Sequence, residues 1–241
     1  MSLSGQSSRL ADAPGFWLSF WRAYRKESLL DWRNPAGFLS LALFALILAV
    51  LYHYAMEPRA FLARRNLYGI LMAALYFLAA MAPGRAADQE REGGANFVIA
   101  LAPADRIGLY LGRVLALWQK LLLCILVLVP AYHVLLAGNF PGGRGSWMGT
   151  MTLALAAISL AALGVLLGGM AAGNRLRAFL MPLILFPSTL PVFMFAAAGL
   201  QQLFRATPEP VWPAGVTALL GCAGLYCGLG SLLYAGMIAE E

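Results

Sequence analysis

VLALWQKLLLCILVLVPAYHVLLA, residues Val114–Ala137, runs for 24 positions with one charge, Lys120. A helix rises about 1.5 Å per residue, so roughly 20 apolar residues cross the hydrocarbon core of a bilayer. The run is continuous and lacks the period-two alternation of a membrane β-strand, so it reads as a spanning helix. Working outward, five more apolar runs of similar length appear, at about 35–54, 66–83, 147–172, 178–200 and 211–238. The expected fold is an all-α integral membrane protein. It has six transmembrane helices and an N-terminal interfacial helix.

The composition agrees. The chain of 241 residues is 61% hydrophobic and 12% charged, where a soluble domain has roughly 45–50% and 25%. So little polar surface cannot wrap a water-soluble body. The net charge of +6 is not gathered into a stripe that would track phosphates, which excludes a nucleic-acid-binding protein. Instead the basic residues sit at the ends of apolar runs and report topology. Arg9, Arg22, Arg25, Lys26, Arg33, Arg85, Arg91, Arg106, Arg113, Arg175 and Arg177 fall on one side. Arg59, Arg64, Arg65, Arg144 and Arg205 fall on the other. The excess makes both termini cytoplasmic, although the Arg64–Arg65 pair stands against it. Residues 1–13 read as a flexible tail and 14–241 as a single six-helix membrane domain. No secretory leader is expected, since the first long apolar run starts only at residue 35 and lacks a small-residue cleavage site.

Before the first span, GFWLSFWRAYRKESLLDWRNP places Trp17, Phe20, Trp21 and Tyr24 on one helical face and Arg22, Lys26 and Arg33 on another. Aromatic residues opposite bases describe a helix lying in the interface plane. Within the spans, Lys120 has two readings, a side chain snorkelling to the cytoplasmic boundary or a residue in a transport path. His53 and His133 end spans 1 and 3 at the same outer level. They are either interfacial histidines or ligands through neutral imidazole. Cys124, Cys222 and Cys227 lie in apolar runs without metal-site spacing, so no metal is expected. Gly164, Gly168, Gly169 and Gly173 give two GxxxG spacings for close helix packing. Pro182, Pro187 and Pro191 each remove a helical hydrogen bond, so span 5 is expected to be kinked or broken.

One stretch interrupts the apolar sequence: ADQEREGGANFVIALAPADR, residues 87–106. Gly93–Gly94 permits a sharp turn. ANFVIALA then makes two helical turns with Phe97, Ala100 and Leu101 on one face, ended by Pro103. Five consecutive apolar residues in a cytoplasmic loop need a cover, either the bilayer surface or a partner's groove. Catalysis has no support: no Ser-His-Asp or HExxH arrangement appears. Nor is there a P-loop, because neither lysine, Lys26 or Lys120, follows the required glycine. The chain is not an enzyme, and ATP-driven motion has to enter through another subunit.

ADQEREGGANFVIALAPADRIGLYLGR resembles the signature of the CcmB family, the haem exporter B permease of the ABC-type complex in bacterial cytochrome c maturation. LGVLLGGMAAGNRLRAFLMPLILFPSTLPVFMFA extends the likeness, which covers roughly residues 22–238. Two departures are Asn96, where an acidic residue is usual, and Arg113, where lysine is usual. The resemblance implies an ATPase-coupling segment comprising Asp88, Gln89, Glu90, Arg91, Glu92, Gly93, Gly94, Asn96, Phe97, Leu101, Pro103 and Arg106. It implies a second cytoplasmic contact at Asn174, Arg175, Leu176 and Arg177. It further implies a CcmA-like ATPase that binds the ATP, CcmC-like and CcmD-like membrane partners, a CcmE-like chaperone, and haem as the handled ligand, for which His53 and His133 are speculative ligands. The location implied is the bacterial inner membrane. The alternative is a general ABC-2 permease exporting a lipid-linked sugar or a drug.

Overall fold

The computed structural model describes residues 15–33, 35–55, 72–81, 105–135, 144–170, 177–202 and 214–237. These residues form seven helices: α1 (Phe16–Arg33), α2 (Pro35–Ala55), α3 (Met72–Met81), α4 (Arg106–Leu135), α5 (Arg144–Met170), α6 (Arg177–Gln202) and α7 (Ala214–Met237). Among the described residues there is no strand. Three helical segments are long and apolar enough to cross a membrane: Arg106–Ala131, Gly149–Met170 and Ala214–Gly236. The apolar stretches Ala42–Tyr52, Met72–Met81 and Leu183–Gly199 are shorter.

The core is built around α5. Its apolar stretch is 67% buried against 22% for that of α7, so α5 is central and α7 peripheral. Small side chains make this possible. Ala156, Ala157, Ala161 and Ala162 are fully enclosed, and they let α4, α6 and α7 all approach α5. Close approach matters in lipid, which gives apolar helices no hydrophobic reason to associate. Gly169 shows the fit, since a Cβ there would lie 3.0 Å from Cε2 of Tyr234. At the opposite end, a Cβ on Gly215 would meet the Gly199 backbone, 2.8 Å from its Cα, so α6 and α7 touch main chain to main chain. The outward faces remain apolar, with Leu43 and Ile47 on α2, Leu183 and Met194 on α6, and Leu225 and Leu232 on α7.

Two expectations need correction. Span 3 was expected to begin at residue 114, after a loop carrying Arg106 and Arg113. In fact α4 starts at Arg106. The cause is Asp105, whose Oδ2 accepts the Gly108 N–H at 3.1 Å and so caps a donor that has no partner inside the helix. Second, of the two readings of the proline-rich span, kinked or broken, the break does not hold: α6 is helical from Arg177 to Gln202 through all three prolines. Within it, Ser188 Oγ donates to Ile184 O at 2.9 Å, and Tyr226 Oη of α7 donates to Ser188 O at 2.8 Å.

Candidate functional site at the Arg106 end of the bundle

α1 lies lengthwise on α4. A Cβ on Gly108 would stand 2.8 Å from Phe16 O, and one on Gly112 would stand 2.6 Å from Phe20 O. These two glycines, one turn apart, form a groove that takes the α1 backbone. The matching residues of α1 are small and buried, Ser19 and Ala23. Residue numbers rise together along the seam, so the two helices run in the same direction. Ser19 Oγ accepts the Asp105 N–H at 3.1 Å. Tyr24 Oη donates to Gln119 Oε1 at 2.7 Å. Asp31 Oδ1 meets Lys120 Nζ at 2.7 Å.

That last pair gives Lys120 a partner. Its ammonium is held by a carboxylate from α1, with side-chain exposures of 16% for Lys120 and 35% for Asp31. Arg113 lies one heptad earlier. Its Nε stands 3.7 Å from Glu27 Oε1, while Nη1 donates to Tyr234 Oη at 2.9 Å. Arg106, a further heptad back, donates through Nη1 to the Ala235 carbonyl at 3.1 Å. A cation there supplies a donor to a carbonyl of the last helical turn and sits favourably at the negative end of the α7 dipole. Seven residues is close to two helical turns, so the three cations share one side of α4.

Tyr110 closes the node. It is fully buried, and its hydroxyl is shared between the carbonyls of Ala162 at 3.0 Å and Tyr226 at 3.3 Å. Its ring lies 5.4 Å from that of Tyr234. A Cβ on Gly230 would fall on the Tyr110 hydroxyl, so only glycine leaves that space. One turn pair further along, Trp118 Nε1 donates to Ala154 O at 2.9 Å. α4 is thus tied to α1 by side-chain pairs, and to α5 and α7 chiefly by polar groups that end on main-chain carbonyls. An arrangement of this kind holds helices in register. Among the described residues, no group of three His, Cys, Asp or Glu side chains is placed to hold a metal ion.

Of the residues singled out from sequence, Arg106 belongs to this node. Asp88, Gln89, Glu90, Arg91, Glu92, Gly93, Gly94, Asn96, Phe97, Leu101 and Pro103 lie outside the described residues, as do Asn174, Arg175 and Leu176. Arg177 opens α6, and His53 and His133 belong to α2 and α4, but their side chains lie outside the description. Cys124 is buried, Cys222 and Cys227 are half-buried, and all three are free thiols.

Sequence reading missed Glu27, Asp31, Tyr234 and the Gly108–Gly112 groove. Signals existed for some of them. Gly108 and Gly112 have GxxxG spacing, Arg106, Arg113 and Lys120 repeat every seven residues, and Glu27 and Asp31 are four apart on one face of α1.

No curated protein matches the chain at a significant level. A family model does: the one described as CcmB protein matches residues 18–226. That interval begins inside α1 and reaches into α7, so it takes in the charged seam and most of the helical core. The chain therefore belongs to the CcmB family, the ABC-type permeases of haem transport in cytochrome c biogenesis.

Proposed function

We propose that this chain is the non-catalytic permease subunit of a complex in which a CcmA-like ATPase drives haem handling on the periplasmic side of the bacterial inner membrane. Six spans with both termini cytoplasmic complete the reading. Residues 88–103 receive the ATPase, and residues 173–177 make the second contact. CcmC-like and CcmD-like proteins flank the bundle, and a CcmE-like chaperone receives the haem.

The observation that supports this is the polar node. Stretch 88–103 ends just before α4 begins, and stretch 173–177 follows the end of α5. The start of α4 and the last turn of α5 both meet Tyr234, through Arg113 Nη1 and through Gly169. A displacement applied to either stretch is therefore delivered to helices that are already fastened together. Bistable, tightly packed helices carry such motion as a body. The work is mechanical, and it is spent on releasing the haem-loaded chaperone. Spans 4 to 6 offer scarcely any polar or ligating residues along which haem could pass, and this favours release over passage.

Phe97→Asp with Leu101→Asp tests the proposal. Burying a carboxylate without a partner is strongly unfavourable. The double variant should insert normally but lose at least about 100-fold in ATPase association, equivalent to roughly 2.7 kcal/mol. Cytochrome c maturation should stop with it. Retention of the ATPase together with mature cytochromes overturns the reading.

A further inference from the structure

Arg113, which stands where lysine is usual in the family's motif, has partners on two other helices. Its Nε faces Glu27 Oε1 of α1 at 3.7 Å, and its Nη1 donates to Tyr234 Oη of α7 at 2.9 Å. Of α2 and α4 to α7, only α2 and α4 pack on α1. The guanidinium therefore bridges two helices that do not themselves pack together.

The two ends of the bridge are held differently. Tyr234 is buried, and its ring lies against Tyr110 of α4 with 5.4 Å between centroids. On its other flank is Gly169 of α5, where a Cβ would come within 3.0 Å of Cε2. The hydroxyl is thus placed jointly by α4, α5 and α7. Glu27 instead belongs to a helix laid along α4 in the glycine groove. Nε and Nη1 lie at different edges of a rigid planar fork, so the two partners do not compete, and each orients the plane for the other. A lysine gathers its donors on one atom and offers no second edge.

We propose that Arg113 makes the seating of α1 on α4 conditional on the position of the last turn of α7. The Tyr234 hydroxyl sets the guanidinium, and the guanidinium sets Glu27. A shift of α5 or α7 that takes the hydroxyl out of hydrogen-bond range loosens the middle of α1 without touching it. The linkage is reciprocal, so lifting α1 also weakens the hold on the end of α7. Arg113 is here a positioning residue. The linkage needs neither an ATPase nor haem, and so stands apart from the function proposed above.

The test reads the seating of α1 in the full chain in lipid nanodiscs, as the rate at which Ser19→Cys reacts with a polar maleimide once the three native cysteines are alanine. Ser19 is 2% exposed, so reaction requires α1 to lift. Groups in one network shift each other's equilibria by roughly twofold to a hundredfold. Y234F, which removes one hydroxyl from α7, should therefore speed labelling at least about threefold, and E27Q should do the same. Added to E27Q, or to R113K with its charge intact, Y234F should change the rate by less than about 1.5-fold, because the bridge is already cut. A parallel chain keeps Cys124, buried on α4, as its one cysteine, and Y234F should leave its labelling unchanged. That control separates release of α1 from general loosening. The proposal is overturned if Y234F or E27Q leaves the Ser19→Cys rate unchanged, if Y234F speeds Cys124 equally, or if its effect persists in E27Q or R113K.

Discussion

Lys120 and Asp31 show what a single pair does in this molecule. Each is partly enclosed, so removing one partner leaves the other charged in a poor solvent for charge. Fully buried pairs cost about 3–5 kcal/mol when broken in this way. Partial exposure reduces the figure, and about 2 kcal/mol is expected here. Lys120→Met and Asp31→Leu should each lower stability by about that amount in detergent unfolding. The double substitution, which leaves no orphan charge, should cost less than either alone. Additive losses would show that the two groups do not sense each other. No sequence pattern announced this pair, because its members are far apart along the chain and belong to different helices.

At the scale of the element, α1 and α4 are matched by shape before they are matched by charge. The groove of Gly108 and Gly112 admits the α1 main chain, and the small, buried Ser19 and Ala23 pack against it. Gly108→Val with Gly112→Val should push α1 away. The readout is Ser19→Cys in a chain whose three native cysteines are replaced by alanine. Ser19 is 2% exposed, and its thiol should label with a polar maleimide at least about tenfold faster once the groove is filled, since the barrier to opening falls by about 1.4 kcal/mol or more. An unchanged labelling rate refutes the role of the groove. The apolar helices were legible in the sequence because each is a long run with few charges. The first two turns of α4 were not. Arg106 and Arg113 resembled loop residues until Asp105 was seen to cap the helix and α1 was seen to shelter its charged side. The candidate coupling segment was legible only as a motif, and its contacts depend on a surface that this chain does not carry.

For the whole molecule, the start of α1, the start of α4, the end of α5 and the end of α7 gather at one end. Ser19 meets Asp105, Arg106 meets Ala235, and Tyr234 meets Gly169. The beginning of α7 and the end of α6 meet at the other end, through Gly215 and Gly199. With the basic excess on the first end, the proposed orientation makes a direct prediction. Reporters fused before residue 1 and after residue 241 should be active only in the cytoplasm, and a reporter inserted at residue 140 only in the periplasm. Any terminus found outside refutes the six-span arrangement.

The seam between α1 and α4 also has a consequence in time. The ribosome makes α1 early, but its bed on α4 is completed only when residue 120 has left the exit tunnel, 89 positions after Asp31. During synthesis at about 5–20 residues per second, that interval lasts several seconds. For that period the nascent chain presents two carboxylates and a bare small-residue strip to the insertion machinery. Its first helix must wait, unpaired, for a neighbour that does not yet exist.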